Sequence, residues 1–326
     1  MAKIRELTGH LMALGAILIY SFNTNFMKVI MPAHIEPEGL VLLRCAFGTM
    51  GFWLIGLFTA PQTSPKPGKK DILMMMLGGV LGMGANLLLY LRGLSMTGPV
   101  DAFVIRTVQP IIVILLAVIF LHATFNKYKA LGILLGLAGT IYVSVMPHEG
   151  QVHDSFGGDM LVFLSSVSYA FYLILIKPYT VKFNSLYVMK WMSLAAFIVS
   201  IPFGIHQLMQ APLFHEPTAT SIWLEMGYVL IFATLIGYFL NLKALNYITP
   251  FVESVYIYLL PITGAAVSIG MGLQKFSWHD PIALTLIVAG FILINLKKKG
   301  KKGMSASPAI SPAGVSTADS PNSSME

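Results

Sequence analysis

The amino-acid sequence predicts an all-α integral membrane protein, with ten transmembrane helices as two inverted five-helix repeats. Three observations lead there. Hydrophobic residues make up 56% of the 326-residue chain and charged residues only 11%, against roughly 25% charged in a soluble domain. The apolar content falls in segments of membrane length: at about 1.5 Å of rise per residue, a hydrocarbon core of about 30 Å takes about 20 residues. The chain also repeats itself at a nearly fixed offset, with an odd number of segments in each half.

The expected spans are 8–28, 38–59, 71–93, 99–121, 128–146, 158–177, 184–205, 221–242, 249–271 and 279–296. Punctuation separates several of them: Pro61, Pro65 and Pro67, then Gly98 and Pro99, Gly157 and Gly158, Pro212 and Pro217. Lys3 and Arg5 precede the first apolar run as in a signal peptide. No small-x-small cleavage site follows, and Tyr20, Phe22, Asn23, Asn25 and Lys28 point to a retained helix. Beyond residue 300 the composition of Ser, Pro, Gly and Ala cannot bury enough surface to fold, so 297–326 reads as a basic, then disordered, tail.

Lys and Arg recur on one side of the expected membrane. Lys3 and Arg5, Lys66, Lys69 and Lys70, Lys127 and Lys129, Lys177 and Lys182, Lys243, and the run Lys297 to Lys302 fall there. The opposite loops 29–37, 147–157 and 206–220 carry none, with Arg92 and Lys275 the main exceptions. Positive residues mark the cytoplasmic side, so both termini are expected in the cytoplasm of a cell inner membrane. The net charge of +7 owes much to that terminal lysine cluster, which suits anionic lipid rather than nucleic acid. The single cysteine, Cys45, excludes a disulfide framework and reads as a buried thiol.

Residues 91–110 lie over 242–261 at an offset of 151, bringing Pro99 and Pro110 onto Pro250 and Pro261. The same offset puts Phe125 on Phe276 and Ala138-Gly139 on Ala289-Gly290. An offset of 149 matches Gly9, Tyr20, Phe22 and Lys28 to Gly158, Tyr169, Phe171 and Lys177, and Arg44 lies over Lys190 at 146. Composition bias aligns Leu with Ile, but not two prolines and an Ala-Gly pair. Five spans per half send the second half into the membrane from the other side, the arrangement that serves alternating access around a midplane site. The repeats are expected at 8–146 and 158–296.

Particular stretches carry a family resemblance: GHLMALGAILIYSFN with its counterpart GDMLVFLSSVSYAFY, LVLLRCAFG around Arg44, and the segments from Thr107 and from Tyr258 that open TVQPIIVILLAVIFL and YLLPITGAAVSIGMG. In these the chain resembles the EamA family of the drug/metabolite transporter superfamily, over about residues 8–296. It departs where that family commonly has Gly-Glu, with Leu121-His122 and Gly272-Leu273. The resemblance implies a ten-helix carrier of small metabolites, with a central cavity lined by helices 1, 3, 4, 6, 8 and 9. Some relatives export amino acids; others carry nucleotide sugars or phosphorylated sugars.

An ionisable side chain inside a span is costly unless it faces a cavity or a partner, so each is a candidate. Arg106 shares a helix face with Gln109 and Pro110, and its guanidinium can fork onto a carboxylate or phosphate. The alternative is a structural pair with Asp101 or Glu225. Glu253, with Tyr256 three residues on, can meet an ammonium or carry a coupling proton; the alternatives are a pair with Lys190 or a place at a helix's positive end. Arg44 and Lys190 read as architectural pairs or snorkelling residues, and Lys28 and Lys177 as lipid-headgroup contacts.

Asn23, Asn86, Tyr90, Tyr169, Tyr238 and Asn241 fall in the helices expected to line the cavity, and either contact an amphipathic solute or hydrogen-bond between helices. Pro110 and Pro261 each remove one helical hydrogen bond at matching positions, making helices 4 and 9 the candidates for kinks at a gate.

No HExxH, P-loop or GxSxG motif occurs, which argues against an enzyme and against a built-in ATPase. His34, His148, His153, His206 and His215 are scattered in outer loops and read as solvated rather than metal-binding. The expected partners are a small-molecule substrate, membrane lipid and, as a candidate coupling ion, the proton; no cofactor is expected. A phosphorylated-sugar or nucleotide-sugar carrier is the first alternative, and a membrane-embedded enzyme or receptor the second.

Overall fold

The computed structural model describes residues 2–58, 66–96, 102, 105–122, 127–145 and 156–271, together with 282, 285–286, 288–290 and 292–293. Asp101, His148, His153, most of the expected span 279–296 and the tail 297–326 lie outside the described residues.

All regular structure among the described residues is helical. In chain order come α1 (Ala2–Ile30), α2 (Pro37–Phe58), α3 (Lys69–Met96), α4 (Gln109–Leu121), α5 (Lys127–Val145), α6 (Phe156–Lys182), α7 (Ser185–Met209) and α8 (Thr220–Ala244). A ninth helix, α9, covers 250–270 in three pieces: α-helical Pro250–Val255, a tighter 3₁₀ turn Tyr256–Leu259, and α-helical Leu260–Gly270. Among these, α2, α3, α6, α7 and α8 are long and apolar enough to cross a membrane. On α1, Leu7, Leu11, Leu14 and Leu18 form an exposed stripe at i+3 and i+4 spacing, while Ala13, Ala16 and Ile17 are buried. An apolar stripe facing outward is the surface a hydrocarbon solvent selects.

Local chemistry sets the helix starts. The Asn184 side chain accepts from the Leu186 amide at 2.9 Å and caps α7, and Thr249 accepts from the Val252 amide at 3.3 Å to cap α9. Pro250, Pro110 and Pro261 all stand in the first turn of a helical segment, where a missing amide proton forfeits no bond and the fixed φ is already helical. The kinks expected at Pro110 and Pro261 therefore take the form of breaks just before them: a turn at 107–108 and the 3₁₀ piece of α9.

Most helix contacts join the two halves of the chain. The two most extensive pack α3 on α6 and α2 on α7; α1 packs on α8 and α9, α6 on α4, α2 on α8, α7 on α3, and α4 on α9. Exchanging each helix for its counterpart five places along maps this set onto itself. Where α2 crosses α7, a Cβ on Gly204 would sit 2.3 Å from the Glu38 carbonyl oxygen, so the backbones touch. Small residues at such crossings supply the close packing that membrane helices need in place of a hydrophobic driving force.

Two helices depart from regular α geometry at matching places. Hydrogen bonding switches to the wider π pattern over Val80–Ala85 of α3 and Val229–Gly237 of α8; an offset of 151 carries 80–85 onto 231–236, inside the second stretch. The widened ladder brings in side chains as partners: Ser168 Oγ of α6 donates to the Leu81 carbonyl at 2.8 Å, and Thr234 Oγ1 donates to the Val229 carbonyl at 2.9 Å. Such bulges recur at functional sites because they re-aim the side chains that follow.

Lys177, expected at lipid headgroups, is half-buried and donates to the carbonyls of Leu245 and Ile248. It thereby satisfies acceptors that the end of α8 leaves without amide partners. Lys177→Met strands those carbonyls and is expected to cost about 1–3 kcal/mol. Thermal unfolding of the purified protein in detergent reads it as a clear fall in Tm; an unchanged Tm would mean that water replaces the ammonium without loss.

Candidate functional site

Seven segments converge on one internal cavity of about 90 Å³. At roughly 10–30 Å³ per water molecule this is room for a few waters or a compact solute. α1 contributes Ile17, Tyr20, Asn23, Thr24 and Met27, which share one helix face. Arg44 comes from α2, Asn86, Leu87 and Tyr90 from α3, Arg106 and Gln109 from either side of the turn that opens α4, and Tyr169 from α6. Tyr238 and Asn241 come from α8, and Glu253, Ser254, Ile257 and Leu260 from α9. The π stretch of α3 ends just before Asn86, and that of α8 just before Tyr238.

Glu253 is held from two sides. Asn241 Nδ2 donates to its Oε1 at 2.6 Å, and the Tyr169 hydroxyl lies 3.2 Å from the same oxygen and 3.2 Å from Asn241 Oδ1. With one proton, that hydroxyl serves one of the two acceptors at a time. The other carboxylate oxygen, Oε2, is buried without a partner. Arg106 lays its guanidinium over the Tyr90 ring, 4.4 Å from the centroid, and its Nε is likewise buried and unpartnered. Arg44, 2% exposed, donates from Nε to Thr234 Oγ1 at 3.0 Å and from Nη1 to the Met27 thioether at 3.3 Å. Asn23 Oδ1, Tyr90 Oη and Gln109 Oε1 are also buried without partners. A buried polar atom lacking a hydrogen bond costs about 1–3 kcal/mol, and here five of them border one space.

Nine of the ten residues expected to touch a solute, Asn23, Asn86, Tyr90, Arg106, Gln109, Tyr169, Tyr238, Asn241 and Glu253, line this cavity. Within that lining, Asn86 also donates to the Ser165 carbonyl at 2.8 Å, so it joins α3 to α6. The tenth, Tyr256, does not line it: its hydroxyl lies 2.8 Å from His10 Nδ1, and its ring packs with Ala13, Ile17, Ala244 and Ile248. At about 100° per residue Tyr256 stands to one side of the stripe Glu253, Ile257 and Leu260 that lines the cavity. Tyr256→Phe is accordingly expected to leave substrate affinity within about twofold in a binding assay, since it removes one hydrogen bond outside the cavity.

The charge pairs expected of Arg44, Lys190 and Glu225 do not form among the described residues, whose ion pairs are Lys182 with Asp71 at 2.9 Å and Arg92 with Glu38 at 3.5 Å. Lys190 Nζ lies over the Trp53 ring, 4.4 Å from its centroid, and Glu225 Oε2 is buried without a partner. Arg44 turns inward because Leu40, Arg44, Gly48 and Phe52 form one buried stripe at i+4 spacing. That stripe was the signal in the sequence that could have placed it at the cavity. Tyr20 and Met27 were open to the same logic, being one turn from Asn23, as was Thr24, one turn from Tyr20.

A helical membrane protein that encloses an ionised polar space among its spans has the build of a solute carrier. The chain belongs to the EamA-like transporter family, whose model matches it twice, over residues 7–145 and 156–296. It is 22% identical over 318 residues to the uncharacterized transporter YyaM of Bacillus subtilis (strain 168), covering 93% of this chain and 100% of that protein. It is 24% identical over 192 residues to the uncharacterized inner membrane transporter YedA of Escherichia coli (strain K12), covering 57% of this chain and 58% of that one. A solved structure described only as "Crystal structure of protein" shares the fold, with a TM-score of 0.70 at 18% identity, covering 88% of this chain and 96% of that one. The protein is therefore an integral membrane transporter-family member with two copies of the family unit.

Proposed function

We propose that the protein is a secondary transporter that exports small metabolites, amino acids or related amphipathic solutes, by alternating access around the cavity of Arg106 and Glu253. The observation that carries this reading is the set of five unpartnered buried atoms on residues from four segments, all bordering one space. Their hydrogen-bonding capacity is complementary to a zwitterion: an ammonium for Glu253 Oε2 and Gln109 Oε1, a carboxylate for Arg106 Nε. The aromatic rings of Tyr20, Tyr90, Tyr169 and Tyr238 suit the solute's apolar part.

In this reading ten spans form two oppositely inserted repeats, 8–146 and 158–296, followed by a basic cytoplasmic tail 297–326 in the cell inner membrane. The double match of the family model, the helix contacts that survive exchange of the halves, and the paired π stretches all support it. The α3 and α8 bulges and the breaks before Pro110 and Pro261 are the flexible points for rocking one half against the other. With no nucleotide-binding motif in the chain, a solute or proton gradient supplies the driving force.

Counterflow in proteoliposomes against a panel of amino acids, sugar phosphates and nucleosides tests the reading. An amino acid is expected to exchange, and Arg106→Ala to slow it about 10- to 100-fold, the worth of a lost charged hydrogen bond. Exchange of a sugar phosphate alone would favour the alternative carrier class, and a silent panel would remove the transport reading. Reporter tags after residues 68 and 150 are expected on opposite faces of the membrane; the same face for both would remove the inverted repeat.

A further inference from the structure

Arg44 is the most deeply buried cation of the cavity, and its surroundings are wrong for a structural ion. Its partners are a threonine hydroxyl, itself bonded to the Val229 carbonyl, a thioether, a weak acceptor, and the Tyr238 ring, 6.0 Å from its guanidinium carbon. No carboxylate lies within 4 Å of it among the described residues. Breaking a buried ion pair by removing its acid strongly destabilises proteins because the remaining charge is uncompensated; here, among the described residues, the charge has no acid beside it. Arg106 faces a ring rather than an acid. Against these two guanidiniums the cavity sets one carboxylate among the described residues, Glu253. If Glu253 is ionised the lining carries one surplus positive charge, and if it is protonated, two. In both states the charge that balances these residues is negative, and an entering solute can supply it.

We infer that the transported solute is a net anion with two carboxylates and an ammonium, an acidic amino acid, one carboxylate bound at Arg106 and the other at Arg44. The inference rests on the transport reading above and narrows its substrate class. The ammonium is required because the cavity also presents acceptors without donors, on Glu253, Gln109 and Asn23; a simple dicarboxylate would leave them unmet. The surplus positive charge selects against neutral amino acids, which leave Arg44 uncompensated, and more strongly against basic ones, which add a second cation. The small volume favours a compact side chain.

The test is counterflow of labelled L-aspartate, L-alanine and L-lysine by the full chain in proteoliposomes. Aspartate is expected to exchange at least tenfold faster than alanine, with lysine at background. Arg44→Gln is expected to cut aspartate exchange at least tenfold and invert the aspartate-to-alanine ratio, and Arg44→Lys to restore the original order. The wild-type comparison needs no variant and decides the matter even if Arg44→Gln fails to fold. Alanine exchanging as fast as aspartate, or faster, overturns this inference while leaving the transporter reading in place. A ratio unchanged in Arg44→Gln overturns the role given to Arg44. Silence for every solute of the wider panel overturns the transport reading and this inference with it.

Discussion

Glu253→Gln is expected to reduce transport at least about 100-fold while leaving the protein folded. The substitution is nearly isosteric, and the amide keeps an oxygen at the Oε1 position to accept from Asn241 and Tyr169, which now hold it at 2.6 and 3.2 Å. What changes is the other atom. Oε2, buried and unpartnered, becomes an NH₂ group, which donates where the carboxylate accepted. A hydrogen bond to a charged group is worth about 1.5–3 kcal/mol, and replacing an acceptor by a donor facing an ammonium adds repulsion, so a hundredfold loss is the natural scale. Glu253→Asp keeps the charge but shortens the reach, and is expected to retain a small part of the rate. The measurement is initial uptake of the exchanging solute, with size-exclusion profile and Tm as controls. Wild-type uptake in Glu253→Gln would remove Glu253 from the site and leave the orphaned oxygen unexplained.

The sequence made most of that site legible, for a physical reason. Polar residues inside apolar spans are few, their burial is costly, and a helix shows its faces by arithmetic. Asn86 with Tyr90 and Tyr238 with Asn241 each share a face through their spacing, and both pairs reach the cavity. Where the arithmetic failed, it was read too generously: at about 100° per residue Tyr256 stands about 60° round the helix from Glu253, beside the stripe of Glu253, Ile257 and Leu260, and its hydroxyl reaches His10. The alignment of Arg44 with Lys190 invites one role for both. The two halves use the position unlike each other, Arg44 at Thr234 in the cavity and Lys190 on the Trp53 ring. Under the proposed function the repeat supplies the scaffold, while an asymmetric solute needs residues that differ between the halves; Glu253 is such a residue, since its counterpart at an offset of 151 is Ala102.

Gly79→Ala is expected to be the most damaging single methyl that can be added to the packing of α3 on α7. A Cβ there would stand 2.0 Å from the Met192 carbonyl oxygen and 2.5 Å from its Cα, so the obstruction is backbone and no rotamer change relieves it. Overpacking of this kind costs about 1–3 kcal/mol and at times more, and a clash this deep belongs at or above the upper end. Two other glycines calibrate the measurement. At Gly84 the added carbon would meet Ala196 Cα at 3.4 Å, an ordinary contact, and at Gly227 nothing lies within 4 Å. Gly84→Ala should therefore be nearly neutral, while Gly227→Ala should be neutral or raise Tm slightly, because alanine holds a helix better than glycine by roughly 0.5–1 kcal/mol. Function should follow the same order, because Gly79 immediately precedes the π stretch of α3 that leads into Asn86 and Tyr90. Pushing α3 off α7 by the ångström or so that a methyl demands would move the ring beneath Arg106 along with it. Loss of Tm and of uptake together in Gly79→Ala, with both retained in Gly84→Ala, would tie the close approach of these helices to the site. Equal Tm values for all three variants would mean that α3 is free to shift, and that its contact with Met192 does not fix the cavity wall.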